Sequence, residues 1–125
     1  IQLKELAPTR YTFQLSNSKG ETLSFGYDHQ KKRFFIDRSA SGETRFSPAF
    51  AAQQSLAPRF RDDSTLTLKM VLDKTSIELF MDEGETVMTE IFFPQAPYEK
   101  VVVSADQKTA TKISAAYIEF KPQQE

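Results

Sequence analysis

Acidic side chains are the residues of this chain best suited to chemistry, and two groups stand close in sequence: Asp73 with Glu78, and Asp82, Glu83 and Glu85. Hydrolysis by a carboxylic acid working with a carboxylate needs two such groups about 5 Å apart, in environments that hold one protonated and the other ionised. Asp82-Glu83-Gly84-Glu85 reads instead as a turn rich in solvated charge, the usual surroundings of clustered carboxylates. Glu78 shares a strand face with Ser76 and Phe80 and has no obvious second carboxyl to work with. A buried hydrogen bond or a docking contact therefore accounts for it better than acid/base catalysis. The single histidine, His29, lies in a polar stretch beside Asp28, and metal binding would require the fold to bring it carboxylates such as Asp62 or Asp63. Ser39, Ser41 and Ser76 have no evident base, so a hydrolytic triad is not supported. With no Cys in the chain, thiolate nucleophiles, thiolate metal sites and disulfides are excluded together. No cofactor is expected.

Charge and hydropathy narrow the partners further. The 16 Lys+Arg and 17 Asp+Glu leave a net charge of -1, so nothing draws the chain in bulk to nucleic acid or to an anionic membrane. Lys31-Lys32-Arg33 is one basic triplet in that balance and reads as a soluble turn, not a phosphate site. No apolar run approaches the roughly 20 residues of a membrane span. Ile1-Gln2-Leu3-Lys4 has neither the basic nor the apolar region of a signal peptide, and the missing initiator Met points to an excised or processed chain. The 11 Phe and 4 Tyr, with no Trp, belong mostly to a core. Tyr11, Tyr27, Tyr98 and Tyr117 are the aromatics whose hydroxyls suit a wet boundary, either a glycan groove or an interface with another domain.

The elements that must position these residues are strands. At 125 residues the chain is one domain, 1–125, large enough to bury roughly two-thirds of its surface without staples. Leu66, Leu68, Met70 and Leu72 alternate with polar residues, Asp73-Lys74-Thr75-Ser76 turns, and Ile77, Leu79 and Met81 resume the alternation. Gly84 supplies the positive φ of a second turn, and a third strand is expected through Val87, Thr89, Ile91 and Phe93. Earlier, Ile1 to Leu6 alternates, Tyr11, Phe13 and Leu15 pair across Asn17-Ser18-Lys19-Gly20 with Leu23, Phe25 and Tyr27, and Arg33 to Asp37 has apolar residues on both faces. Between Pro48 and Pro58 a short strand is expected near Ala52 to Ala57. Strands through Tyr98 to Ala105 and Ile113 to Lys121 close the chain, the last apolar on both parities. About ten short strands at turn spacing, with almost no helix signal, predict an all-β antiparallel two-sheet β-sandwich of the concanavalin or jelly-roll kind.

The wording of the central stretch is more specific than its pattern. Asp73 to Phe80 reads D-K-T-S-I-E-L-F, followed by D-E-G-E-T-V-M-T and F-F-P, and the earlier Phe34 to Gly42 reads F-F-I-D-R-S-A-S-G. Together they resemble the C-terminal β-sandwich module of glycoside hydrolase family 32, the invertases, levanases and inulinases. There the runs are roughly F-V-D-R-x-x-S-G, then D-R-S-S-V-E-V-F, N-D-G-E, T and F-P. Two motifs in the right order and spacing extend the resemblance from about Ile1 to Lys121.

The resemblance implies that Asp37, Arg38, Ser41, Gly42, Asp73, Ser76, Glu78, Phe80, Gly84, Thr89 and Pro94 are structural or interface residues of the module. It implies a partner in the same polypeptide, an N-terminal catalytic five-bladed propeller, and a parent that is secreted, periplasmic or at the cell surface. In that family the hydrolytic carboxylates lie in the propeller, in W-M-N-D-P-N-G, R-D-P and E-C motifs. The absence of Trp and Cys removes the first and third, and Arg61-Asp62-Asp63 lacks the proline of the second. Two departures, Lys74 for the motif arginine and Ile91 where a basic residue often precedes I-F-P, put salt bridges at those positions in doubt. The expected role is thus non-catalytic packing on the propeller, with binding of fructan or another glycan as the alternative. A docking surface left uncovered would make the module self-associate.

Overall fold

The computed structural model describes residues 1–42 and 54–115. Among these residues lie ten strands: β1 Gln2–Lys4, β2 Arg10–Ser16, β3 Thr22–Asp28, β4 Arg33–Asp37, β5 Ser55–Pro58, β6 Leu66–Leu72, β7 Ser76–Met81, β8 Thr86–Ile91, β9 Lys100–Ala105 and β10 Lys112–Ser114. They form two five-stranded antiparallel sheets with the orders β10-β1-β6-β7-β8 and β5-β4-β3-β2-β9. The two-sheet sandwich expected from the strand spacing is the fold observed.

Alternation explains which side chains meet between the sheets. In β2 and β3 the pairs Tyr11 with Tyr27, Phe13 with Phe25, and Leu15 with Leu23 are in register and buried. The Phe13 and Phe25 rings stack at 5.2 Å. Leu3, Leu66, Leu68, Ile77, Leu79, Met81 and Met88 face them from the other sheet. This contiguous cluster is the core, and removing its apolar surface from water is the main force holding the sheets together. Within β4, Phe34 and Ile36 join the core while Phe35 points outward and is still buried. The Phe35 ring lies over Gly26, where a Cβ would come within 2.9 Å of it, and the Arg10 guanidinium covers the ring at 3.8 Å.

Three sequence expectations need correction. The third strand of the meander was expected to bury Val87, Thr89 and Ile91, but Thr86 and Met88 are the buried residues and the other three are exposed. Met81 pairs with Thr86 across a four-residue loop, so both take the same face, and that register decides the parity. The strand also stops at Ile91, leaving Phe92 buried and Phe93 exposed beyond it. Ile113, expected in a strand covered on both faces, stands exposed in a three-residue β10. The short strand foreseen at Ala52 to Ala57 is β5, of which Ala52 and Gln53 lie outside the described residues, as do Ala116 to Lys121.

Candidate functional site: the outer face of β6, β7 and β8

The outward residues of these strands fall into register as rows. Lys69, Phe80 and Val87 form one row, Val71, Glu78 and Thr89 the next, and Ser76 pairs with Ile91 beyond them. Val71, Val87 and Ile91 are 43%, 51% and 50% exposed, and Phe80 is half-buried beneath the Lys69 ammonium, which lies 5.9 Å from its ring centre. Three adjacent strands therefore present aliphatic and aromatic carbon to solvent where an outer face usually alternates to polar residues. The opposite sheet shows the usual pattern, with Thr12, Gln14, Ser24 and Ser104 outward at its centre and the exposed Leu56 and Val102 only toward its edges. At one end of the apolar face is a groove of about 590 Å³, lined by Gln2, Thr67, Lys69, Phe80, Glu83 and Ser114 among others.

Glu78 sits at the centre of this face. Its cross-strand neighbours are Val71 and Thr89, and it is exposed. Among the described residues no hydrogen bond or ion pair engages it, and it is not the buried residue considered from the sequence. Asp73 lies at the exposed β6–β7 turn, where its backbone N–H donates to Ser76 O at 2.8 Å and its carboxylate accepts from Lys74 N. Four other acids each pair with a cation: Asp82 with Arg59, Glu85 with Arg61, Glu90 with Arg38 and Asp62 with Lys32.

The turn that carries β7 into β8 is built more deeply than its composition indicates. Asp82, Glu83 and Gly84 all have positive φ, at 52°, 61° and 91°. Asp82 N–H donates to Thr67 O at 2.8 Å, continuing the β6–β7 ladder one residue past Leu68 and Met81. Its carboxylate is buried, a correction to the solvated turn read from the sequence, and it receives two bonds from Arg59, at 2.8 Å from Nε and 3.0 Å from Nη2. Arg59 was not singled out in the sequence. The only signal available was an arginine directly after a proline-ended strand, and that does not identify its partner.

Both sequence motifs meet at the far end of the same face. The Asp37 carboxylate accepts from Ser39 N–H and Oγ, closing a tight turn. Burial pushes its titration upward, but the Ser39 and Gln54 bonds and the nearby Arg10 outweigh this and hold it below the ordinary carboxylate value. Ser41 Oγ donates to Arg38 O at 2.7 Å, and Tyr98 donates to Ser41 O at 2.6 Å. Arg38 reaches across to β8, pairing with Glu90 at 3.0 Å and donating to Ile91 O at 3.1 Å. The Ile91 side chain is thus part of the apolar face while its carbonyl is anchored. Gly42 packs against Phe93 and Pro94, so F-I-D-R-S-A-S-G and F-F-P clasp each other at the sandwich end.

Tyrosine placement differs from expectation. Tyr11 and Tyr27 are inward residues with buried rings because their parity matches that of Phe13 and Phe25, and Tyr98, ahead of β9, is buried with its ring 5.5 Å from that of Phe92. Their hydroxyls bond internally: Tyr11 to Ala7 N–H and Thr111, Tyr27 to His29 Nδ1 and Arg59, Tyr98 to Ser41 O. Burial pushes the Tyr27 and Tyr98 hydroxyls above their ordinary range. Tyr117 lies outside the described residues. His29 is half-buried against Tyr27, and burial, with Arg59 and Lys32 nearby, lowers its pKa, so it is a neutral partner of Tyr27 at pH 7. Among the described residues no three His, Asp or Glu side chains gather in a metal-holding group.

Comparison with known proteins agrees with the fold and the motifs. Residues 3–120 match the family of glycosyl hydrolases family 32 C-terminal domains. The levanase of Bacillus subtilis (strain 168) is 31% identical over 84 residues, covering 67% of this chain and 12% of the levanase. The extracellular exo-inulinase of Aspergillus awamori is 37% identical over 85 residues, covering 65% of this chain and 15% of that enzyme. The crystal structure of exo-inulinase from Aspergillus awamori superposes with a TM-score of 0.71 at 28% identity, over 83% of this chain and 21% of the inulinase. The chain thus spans less than a quarter of each of these relatives. It belongs to glycoside hydrolase family 32, as the C-terminal β-sandwich domain of that family.

Proposed function

We propose that this chain is the non-catalytic C-terminal sandwich of a fructan- or sucrose-cleaving glycoside hydrolase, and that the outer face of β6, β7 and β8 packs on the catalytic propeller preceding it. The observation that carries this reading is the exposed set Val71, Phe80, Val87 and Ile91 on three adjacent strands. Covering such a set gains about 25 cal/mol per Å² of apolar area removed from water. The surface therefore favours a permanent neighbour over solvent. The length missing relative to the levanase and the inulinase supports the preceding part of the same polypeptide as that neighbour. The names of those relatives support fructans as the substrates of the whole enzyme, and the extracellular inulinase supports a secreted parent.

The carboxylates of this chain support a structural role. Asp82, Glu85 and Glu90 are each neutralised by an arginine, and Glu78 has Val71 and Thr89 as its cross-strand neighbours, not a second carboxyl. The glycan-binding alternative rested on tyrosine rings, and three of the four are inside the core. Incubation of the 125-residue chain with sucrose, inulin and levan is expected to release no fructose, measured by chromatography against the parent enzyme. Sustained release by the chain itself would contradict the reading.

A further inference from the structure

Resting on the docking proposed above, we infer that the propeller surface facing this module presents a guanidinium group to Glu78. The carboxylate stands at the centre of the outer face, between Val71 and Thr89 across the strands and between Ser76 and Phe80 along its own. Among the described residues no cation bonds it. Lys69, the nearest candidate in register, has its ammonium over the Phe80 ring instead.

In solvent an unpaired carboxylate costs nothing. Once its apolar neighbours are covered it loses water as they do, and a carboxylate desolvated without a partner is strongly unfavourable. Docking through this face is therefore best served by a cation from the other side, which supplies both hydrogen bonds and the opposite charge. Arginine fits better than lysine, because its planar fork can bond both carboxylate oxygens and it surrenders its hydration more readily. The pair would set the position and angle of the module on its partner, while the surrounding Val71, Val87 and Ile91 contribute non-directional burial.

Calorimetric unfolding of the full-length polypeptide tests this, with Glu78→Gln, Glu78→Lys, Lys69→Met and Val87→Ser beside the unaltered protein. Each altered side chain is at least partly exposed, so none threatens the fold of the module itself. The unaltered protein is expected to unfold in one coupled transition. Glu78→Gln should lower it by several degrees, Glu78→Lys should split it in two by setting like charges against each other, and Lys69→Met should leave it in place. If Val87→Ser lowers the transition while both Glu78 variants leave it unchanged, the docking stands and the guanidinium is refuted. If Lys69→Met acts as strongly as Glu78→Gln, the partner of Glu78 lies within this chain and the inference is likewise refuted. Separate transitions in the unaltered protein, or no effect of any variant, would overturn the docking itself and the inference with it.

Discussion

Replacement of Arg59 by Ala is expected to lower the unfolding free energy by about 3 to 5 kcal/mol, measured by urea denaturation of the 125-residue chain, because it strands a buried charge. All five guanidinium N–H groups are used: two on the Asp82 carboxylate, one each on Asp63 O and Thr65 O at 2.8 Å, and one on the Tyr27 hydroxyl at 3.3 Å. The side chains of Arg59 and Asp82 are 0% and 2% exposed. Asp82→Ala should cost a similar amount, since it leaves the guanidinium uncompensated. Removing both partners should cost much less than the sum of the single changes, because the double variant buries no unpaired charge. A loss below about 1 kcal/mol for either single variant would show that water reaches the pair. Asp82 lies in the turn between β7 and β8, and β8 carries Val87 and Ile91 of the proposed docking face.

Gly42→Ala is expected to destabilise the chain by about 3 kcal/mol or more, combining backbone strain with overpacking. Gly42 has φ of 141°, a conformation that side chains rarely adopt. A Cβ there would lie 2.1 Å from Phe93 O and 2.6 Å from Phe93 C, and these are backbone atoms that cannot rotate away. The clasp between the two motifs would have to open, taking with it the Tyr98 bond to Ser41 O and the Arg38 bond to Ile91 O. Thermal unfolding should show a drop of more than ten degrees on the general scaling of roughly 4–8 °C per kcal/mol for small domains. A drop of only a degree or two would mean that the turn has another conformation.

Most of the sandwich was legible because burial and alternation agree. Tyr11, Phe13, Leu15, Leu23, Phe25 and Tyr27 could only face one way, and they do. The parity of β8 was not legible, since Val87, Ile91 and Met88 make both faces apolar and hydrophobicity alone cannot choose. The loop length chose, through the pairing of Met81 with Thr86, and it leaves Val87 and Ile91 on the exposed face proposed for docking. The tyrosines misled because a hydroxyl suits a wet boundary; here it is satisfied by groups inside the fold, which lets the rings serve as core. Arg59 and Asp82 are 23 positions apart, and nothing local in either marks it for burial. The meeting of the two motifs at Gly42, Phe93 and Pro94 is likewise a tertiary fact. Their membership of one family pattern could be read from the sequence, but not their contact.

In the whole enzyme the outer face of β6, β7 and β8 is expected to be covered. Hydroxyl-radical footprinting reads this directly, by comparing oxidation of individual side chains in the 125-residue chain and in the full-length polypeptide. Phe80, Val87 and Ile91 should be modified several-fold more slowly in the full-length protein, while Val102 and Leu56, exposed on the other sheet, should be modified at equal rates in both. Equal rates at Phe80, Val87 and Ile91 in the two proteins would contradict the account.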